Sequence, residues 1–506
     1  MIAKTLSAIP YGYEGRLVEV EGDINNGLPA FNIVGMANKT VSEARERVKS
    51  ALVNSNFQFP SKKVTINLAP ADLAKDGSYL DLPIAMTILA VSGQILNQDL
   101  KNRLFVGELS LNRDIKPVHG IINILETARE HNISEVFIPY RNLSQASLLP
   151  NIKIIGVKNL QELFLHLKGE KRVSHLKDTV VENTETDAES PILDHIRGQS
   201  IAKRAIEIAI AGHHNILISG PPGAGKTLLA KAAANLLPPL STEEKIAITK
   251  IYSIAQLADK IVTKRPFRSP HHTASAVSII GGGPKSLPGE ISLAHLGVLF
   301  LDEIPEFPRS ILESLRQPLE DKKISISRAN MRTCYPADFM LISTMNPCPC
   351  GYLGDPTHEC TCTYSQIQAY NKKLSGPLFD RIDLIINVSK VDNSELLANP
   401  VLIKDPTNTE HSVVKNKITD AIQRQHRRYG RSDFYNSSLS SHQISSQIKL
   451  SKNARALLLT ATEKLNLSAR SYFKVLKVAQ TIADLDNCKI IDSPQLAEAL
   501  SFRKRQ

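Results

Sequence analysis

At 506 residues, with a net charge of +11 and 42% hydrophobic side chains, the chain is long enough for about three domains of ~150 residues, each with its own core. Its first residues form no apolar leader. The longest apolar run, Leu82 to Leu96, is broken by Thr, Ser, Gly and Gln and falls short of the ~20 residues that a bilayer-spanning helix needs. A cytoplasmic location without membrane contact is expected, and there six cysteines argue against stable disulfides.

Residues 1–168 alternate short β-type runs, Leu17 to Val20, Phe31 to Val34 and Val64 to Leu68, with a helical pattern from Val41 to Val53. They read as an α+β domain. From 169 to 190 the apolar periodicity disappears, which marks a linker. A second domain, 191–395, repeats apolar strands (Asn215 to Ser219, Val298 to Leu301, Phe339 to Ser343) followed by helical segments, the pattern of a parallel α/β sheet. After a Pro- and Asn-bearing break at 399–408, Tyr472, Val475, Leu476, Ala479, Ile482 and Ala483 fall on one helical stripe, so 396–506 is expected to form a helical bundle. Residues 413–506 carry 17 Lys and Arg against 7 Asp and Glu. That excess suits a polyanion partner, nucleic acid first, but a solvated helical face accounts for it equally well.

The stretch Gly220, Pro221, Pro222, Gly223, Ala224, Gly225, Lys226 and Thr227 matches G-x-x-x-x-G-K-[ST] between a β-run and a helix. Its glycines let backbone N–H groups approach phosphates, Lys226 reaches the β/γ-phosphates and Thr227 holds magnesium. A second apolar run, Gly297 to Leu301, ends in Asp302 and Glu303. Asp302 completes the magnesium shell, and Glu303 is the candidate base for the attacking water. Together the two motifs point to ATP hydrolysis with ATP and Mg2+ bound.

With these motifs the chain resembles AAA+ ATPases and, within them, the magnesium-chelatase-like ComM/YifB family of bacterial competence proteins. The resemblance is carried by Asp194-His-Ile-Arg-Gly-Gln199, Arg268-Ser-Pro-His-His-Thr273, Pro288-Gly-Glu-Ile-Ser-Leu-Ala-His295, Asn346-Pro-Cys-Pro-Cys350, Ser375-Gly-Pro-Leu-Phe-Asp-Arg-Ile-Asp383 and Leu467-Ser-Ala-Arg470. It implies an AAA+ parallel-sheet core, a carboxy-terminal helical lid and a homo-oligomeric ring, a hexamer, with ATP at its interfaces. It also implies that Asn346 is the polar sensor, Arg381 the arginine finger supplied to a neighbouring copy, and Arg470 the second sensor in the lid. Read from its neighbours alone, Arg381 would instead pair with Asp380 or Asp383.

Cys348, Cys350, Cys360 and Cys362 give C-x-C-x9-C-x-C, a set that can close around one tetrahedral zinc; four reduced structural cysteines are the alternative. His271 and His272 are adjacent, and neighbouring side chains on a strand or helix point apart, so a shared metal is not expected. A substrate or nucleotide-responsive contact is, in a loop kept flexible by Gly281-Gly-Gly283. Lys322 to Arg332 reads as a basic hairpin, DNA-contacting or simply exposed.

Residues 1–168 resemble the Lon-protease-like domain of this family. Tyr79, in Lys75-Asp-Gly-Ser-Tyr79, and Ile122 stand where Lon proteases carry their Ser nucleophile and Lys base. Ser78 is one residue out of place with no evident base, so a binding or assembly domain without peptidase activity is expected. The resemblance implies an ATP-driven DNA motor, a helicase or branch-migration factor on single-stranded or branched DNA in natural transformation, with Arg424 to Arg431 and Phe502 to Arg505 as backbone contacts. Protein remodelling is the alternative, and metal chelation into a tetrapyrrole comes last.

Overall fold

The computed structural model describes residues 2–35, 39–73, 75, 77–175, 192–284, 286–328, 331–355, 358–390 and 409–503. Residues 176–190 of the expected linker, the domain opening at Pro191, the break at 399–408, the hairpin tip at 329–330, and Lys504 and Arg505 lie outside the described residues.

In the strand Lys63–Ala69, buried Val64, Ile66 and Leu68 alternate with more exposed neighbours, the signature of a sheet covered on one face. It belongs to a seven-stranded sheet ordered Ala30–Val34, Lys63–Ala69, Glu14–Asn25, Ile2–Tyr11, Arg103–Phe105, Glu135–Pro139, Lys153–Val157. The apolar run near Leu82 forms the helix Asp81–Val91, whose every residue is buried. It is a core helix, and among the described residues no helix is long and apolar enough to cross a membrane.

A second sheet has five strands, ordered Phe267–Arg268, Val298–Leu301, Met340–Met345, Ile216–Ser219, Leu384–Asn387, and every pair is parallel. The strands Val298–Leu301 and Met340–Met345 are buried throughout, as expected where helices cover both faces. Parallel running has a direct consequence for placement. Residues that follow the strands, Gly220, Asp302 and Asn346, gather along one edge, whereas residues that precede them, Asn215 and Arg381, gather along the opposite edge.

The carboxy-terminal helices Glu410–Tyr429, Ser441–Gln447, Lys452–Lys464, Ala469–Leu485 and Ser493–Ser501 pack into one core with the helix Ser200–Gly212. The expected stripe is there: Val475, Leu476, Ala479, Ile482 and Ala483 are buried and Tyr472 is half-buried. Asp194 accepts the Glu410 and His411 N–H groups at 2.9 Å each, so its carboxylate caps the positive end of the first of these helices. The helix Thr242–Ile254 docks the parallel-sheet region on the first sheet's domain: Lys250 Nζ pairs with Glu126 and stands 4.0 Å above the Tyr13 ring, and Ser253 Oγ accepts the Gly120 N–H at 2.7 Å.

Candidate functional site

Strand Ile216–Ser219 passes into a turn in which Gly223 and Gly225 both adopt φ +78, a left-handed conformation that side chains disfavour. The turn delivers the chain into helix Lys226–Asn235, whose free N–H groups face the same space. Lys226 Nζ donates to the Gly220 and Pro221 carbonyls and, at 2.8 Å, to Asn346 Oδ1. Burial pushes this ammonium down, against the opposing pull of the Asp302 and Glu303 carboxylates. Thr227 Oγ1 donates to Asp302 Oδ2 at 3.2 Å.

Glu303 leaves its strand with φ +51, and its N–H is held at 2.9 Å by Thr344 Oγ1, whose hydroxyl proton goes to Asp302 Oδ1. Asn346 Nδ2 donates to Glu303 Oε1 at 3.2 Å. The side chains of Lys226, Thr227, Asp302, Glu303 and Asn346 are thus connected through hydrogen bonds on one sheet edge. An ammonium, a hydroxyl–carboxylate pair, a second carboxylate and an amide arranged this way can hold a metal-bound polyphosphate and activate water.

Arg381 and Arg470 are elsewhere. Arg381 precedes Leu384, whose strand pairs in register with Ile216–Ser219, so about 13 Å of strand separates it from the phosphate loop of its own chain. Its Nε donates to the Arg316 carbonyl at 3.1 Å, and one terminal nitrogen pairs with Glu320 at 2.8 Å. Glu320, rather than Asp380 or Asp383, is its carboxylate partner. Arg470 pairs with the other oxygen of the same carboxylate. Burial pushes the Glu320 carboxyl up, but the two guanidiniums prevail and hold it below its usual range. Behind them Asp383 accepts from Lys474 at 3.1 Å and from His214 at 3.3 Å, joining the strand to the helix that carries Arg470.

The four clustered thiols also meet. Cys348 Sγ lies 3.3 Å from Cys350 Sγ and 3.7 Å from Cys360 Sγ, Cys350 and Cys360 are 3.6 Å apart, and all four sulfurs fall within 4.8 Å of one another. A tetrahedral ion bound at ~2.3 Å sets sulfurs about 3.8 Å apart, so the set fits a single zinc. The described stretches Asn346 to Asp355 and His358 to Cys362 contain neither strand nor helix.

Several expectations need correction. The His271 and His272 rings lie 4.1 Å apart, tilted by 33°, because the segment is a turn, in which neighbouring side chains converge, and His271 Nδ1 meets Thr273 Oγ1 at 2.7 Å. Gly281 and Gly282 are paired with Pro288 and Leu287, and a Cβ on Gly281 would lie 2.7 Å from Ile326 Cδ1. At Gly281 the missing side chain permits close approach, whereas Gly283 has open space around it. The basic hairpin is longer than expected, Lys323–Arg328 paired with Met331–Pro336, because buried Ile324, Ile326 and Tyr335 anchor it. Ser78 does have a carboxylate partner, since its hydroxyl donates to Glu108, while burial pushes the neighbouring Tyr79 hydroxyl up to about 12 and Ile122 is fully buried. Within the proposed DNA-contact run, Arg424 donates to the Asp484 carbonyl, Arg428 pairs with buried Asp484 and Arg431 with Asp433. Arg424 and Arg428 thereby join two helices of the lid, whereas the Arg431 pair is local and exposed. Among the described residues from 413 onward, the exposed cations are Lys415, Lys417, Arg427, Arg431, Lys449, Lys452, Arg455, Lys464, Arg470 and Lys489.

Sequence reasoning missed Thr344, a hydroxyl inside a buried apolar strand two residues before Asn346, and Glu320, whose partners are 61 and 150 positions away. Thr344 carries a local signal, a polar residue at the end of a core strand; Glu320 carries none. Arg268 and Glu290, from two separate motifs of the resemblance, form a bidentate pair at 2.6 and 2.7 Å.

A parallel core with phosphate loop, acidic pair and amide on one edge, followed by a helical lid, is the architecture of an AAA+ ATPase, here preceded by a Lon-like domain. The comparisons agree. Residues 192–396 match the model described as "Magnesium chelatase, subunit ChlI", residues 20–142 "Subunit ChlI of Mg-chelatase" and residues 408–503 the ChlI C-terminal model. Competence protein ComM of Haemophilus influenzae is 42% identical over 99% of this chain and 97% of that protein, and YifB of Escherichia coli, an uncharacterized protein, is 40% identical over 96% and 94%. Lon protease 2 of Bacillus subtilis is 28% identical over 26% of each chain. The chain belongs to the ComM/YifB family of magnesium-chelatase-like AAA+ proteins, a family that implies ATP and Mg2+.

Proposed function

We propose that this protein is an ATP-driven motor on DNA that works as a hexameric ring, serving as a helicase or branch-migration factor in recombination during natural transformation. The observation that carries the reading is the division of one hydrolytic set between two sheet edges: Lys226, Asp302, Glu303 and Asn346 on one, Arg381 and Arg470 on the other. A copy completes its site only with a neighbour's arginines, which makes turnover depend on assembly. A protein called a competence protein, alike over nearly its whole length, supports a role with incoming DNA.

In this reading the backbone N–H groups of Gly223 to Thr227 and the Lys226 ammonium bind the phosphates, and Thr227 and Asp302 hold magnesium, which when bound neutralises phosphate charge. Asn346 aligns Glu303 and the attacking water. Glu303 takes the water's proton as its oxygen bonds to the γ-phosphorus and the bond to the ADP oxygen breaks. The neighbour's Arg381 and Arg470 stabilise charge on the departing phosphoryl group. The four thiols hold one structural zinc. The first domain, with Tyr79 and Ile122 at the positions of Lon's catalytic pair, binds or assembles and does not cleave peptides. Domain limits of 1–168, 191–395 and 396–506 follow from the same reading.

The test is steady-state ATP turnover with no addition, with single-stranded DNA, with a four-way junction and with an unfolded protein, each at two salt concentrations. Stimulation by DNA that weakens as salt rises is expected, because phosphate contacts release counterions. Stimulation by unfolded protein alone would replace the DNA reading with protein remodelling.

A further inference from the structure

The turn that follows the first thiol pair lies against the phosphate loop. Gly351, in the turn that follows the first thiol pair, has φ +86, and a Cβ placed there would lie 2.8 Å from Pro222 Cδ and 3.9 Å from Asn346 Cγ. Its N–H closes a tight turn on the Cys348 carbonyl at 3.0 Å, and the Cys350 N–H donates to Cys362 Sγ at 3.3 Å. Past the second thiol pair, Thr363 caps the helix Tyr364–Lys372, and Tyr370 on that helix is buried in the same core as Met345, the residue before Asn346. Asn346 thus opens the cysteine segment, the helix that closes it packs in one core with Met345, and Gly351 in its middle lies close against Pro222.

We infer that a single zinc-class ion bound by Cys348, Cys350, Cys360 and Cys362 braces the nucleotide site, so that occupancy of the thiol cluster sets nucleotide affinity and turnover. This inference rests on the nucleotide-site reading above. Its physical basis is the closeness of four sulfurs on a segment without regular secondary structure, which the Asp355–Lys390 ion pair at 2.8 Å and the Tyr352–His358 ring stack restrain only beyond the first thiol pair. The described residues of the segment form no helix or strand, and of the four thiols only Cys348 is fully buried. Four sulfurs this close repel one another once ionised unless a cation sits between them, so the fold of the segment is coupled to the ion. Thiolates select zinc over the hard magnesium that oxygen ligands prefer, which separates the brace from the metal of ATP itself. Losing the ion releases Gly351 from Pro222, and with it the spacing between the phosphate loop and the Asn346 amide.

The experiment uses the full chain purified under reducing conditions. Metal content is measured by plasma mass spectrometry, and affinity for a fluorescent ATP analogue is measured with magnesium present. Both are repeated after stripping with a mercurial that dithiothreitol then removes, and again after zinc is returned. One zinc per chain is expected, with affinity lowered about tenfold by stripping, as is common when a support around a site is lost. Added zinc, and not added magnesium, should restore it. Because stripping could unfold the segment broadly, Gly351→Ala provides an independent arm: it keeps all four thiols and one zinc per chain, yet its methyl group presses on Pro222 and should weaken the nucleotide by a similar factor. A protein that purifies without stoichiometric thiol-bound metal, or that binds nucleotide equally well stripped, replete and as Gly351→Ala, overturns the inference while leaving the nucleotide site intact. A zinc-replete protein that binds no nucleotide overturns both readings.

Discussion

Glu303 holds a backbone conformation, φ +51, that costs a non-glycine residue roughly 1–3 kcal/mol, and its N–H is anchored to the Thr344 hydroxyl at 2.9 Å. Two predictions follow from that geometry. Glu303→Gln keeps the shape and removes the base, so nucleotide binding should persist while turnover falls by at least about 100-fold; wild-type turnover would refute the base assignment. Thr344→Val removes both hydrogen bonds at nearly constant volume, leaving the Glu303 N–H without a partner at a cost of roughly 1–3 kcal/mol. Turnover should drop about tenfold or more with nucleotide affinity almost unchanged. A parallel loss of affinity would show that Thr344 merely supports the loop. The motif residues were legible because each chemistry requires its residue type at a set spacing, whereas Thr344 acts by lying across from Asp302 on the neighbouring strand, a relation that no local pattern encodes.

At the scale of elements, the segment His295 to Gly297 leads into the strand Val298–Leu301, and His295 is 8% exposed, its Nδ1 accepting the Asp338 N–H at 3.1 Å. Burial pushes its pKa down to about 4. The folded value lies below the ordinary ~6.5, so the unfolded chain binds the proton first. Its contribution to stability is therefore complete above about pH 6.5 and declines toward pH 4 by about 1.4 kcal/mol per unit, roughly 3 kcal/mol in all. His295→Gln keeps an acceptor and removes the titration. Thermal midpoints measured between pH 4 and 7 should fall less steeply for the variant than for the wild type, and identical slopes would rule out this source. The core strands were readable as apolar runs. The edge strand Phe267–Arg268 was not, because two residues make no pattern, and the hairpin's second strand, Met331–Pro336, was cut short because its alternation emerges only against the buried Ile324 and Ile326.

For the whole molecule, the separation of Lys226 from Arg381 makes a prediction about mixtures. Lys226→Ala and Arg381→Ala should each be nearly inactive alone. Mixed in equal amounts they should recover about a quarter of wild-type turnover, since a quarter of randomly formed interfaces pair an intact phosphate loop with an intact arginine. No recovery, in mixtures shown to co-assemble, would mean that each copy acts on its own nucleotide. The net excess of cations in residues 413–506 suggested a polyanion surface, but part of that charge is internal: Arg428 and Lys474 neutralise the buried Asp484 and Asp383.

By itself the sequence determined the phosphate loop, the acidic pair, the four clustered thiols and the order of sheet and helical regions, because each follows from residues close together in the chain. Only the tertiary structure decided that Arg381 and Arg470 share Glu320, that Thr344 ties Asp302 to Glu303, and that Gly351 rests against Pro222. These relations arise where parallel strands bring distant segments to a common edge, and the spacing of residues along the chain carries no record of which edge that is.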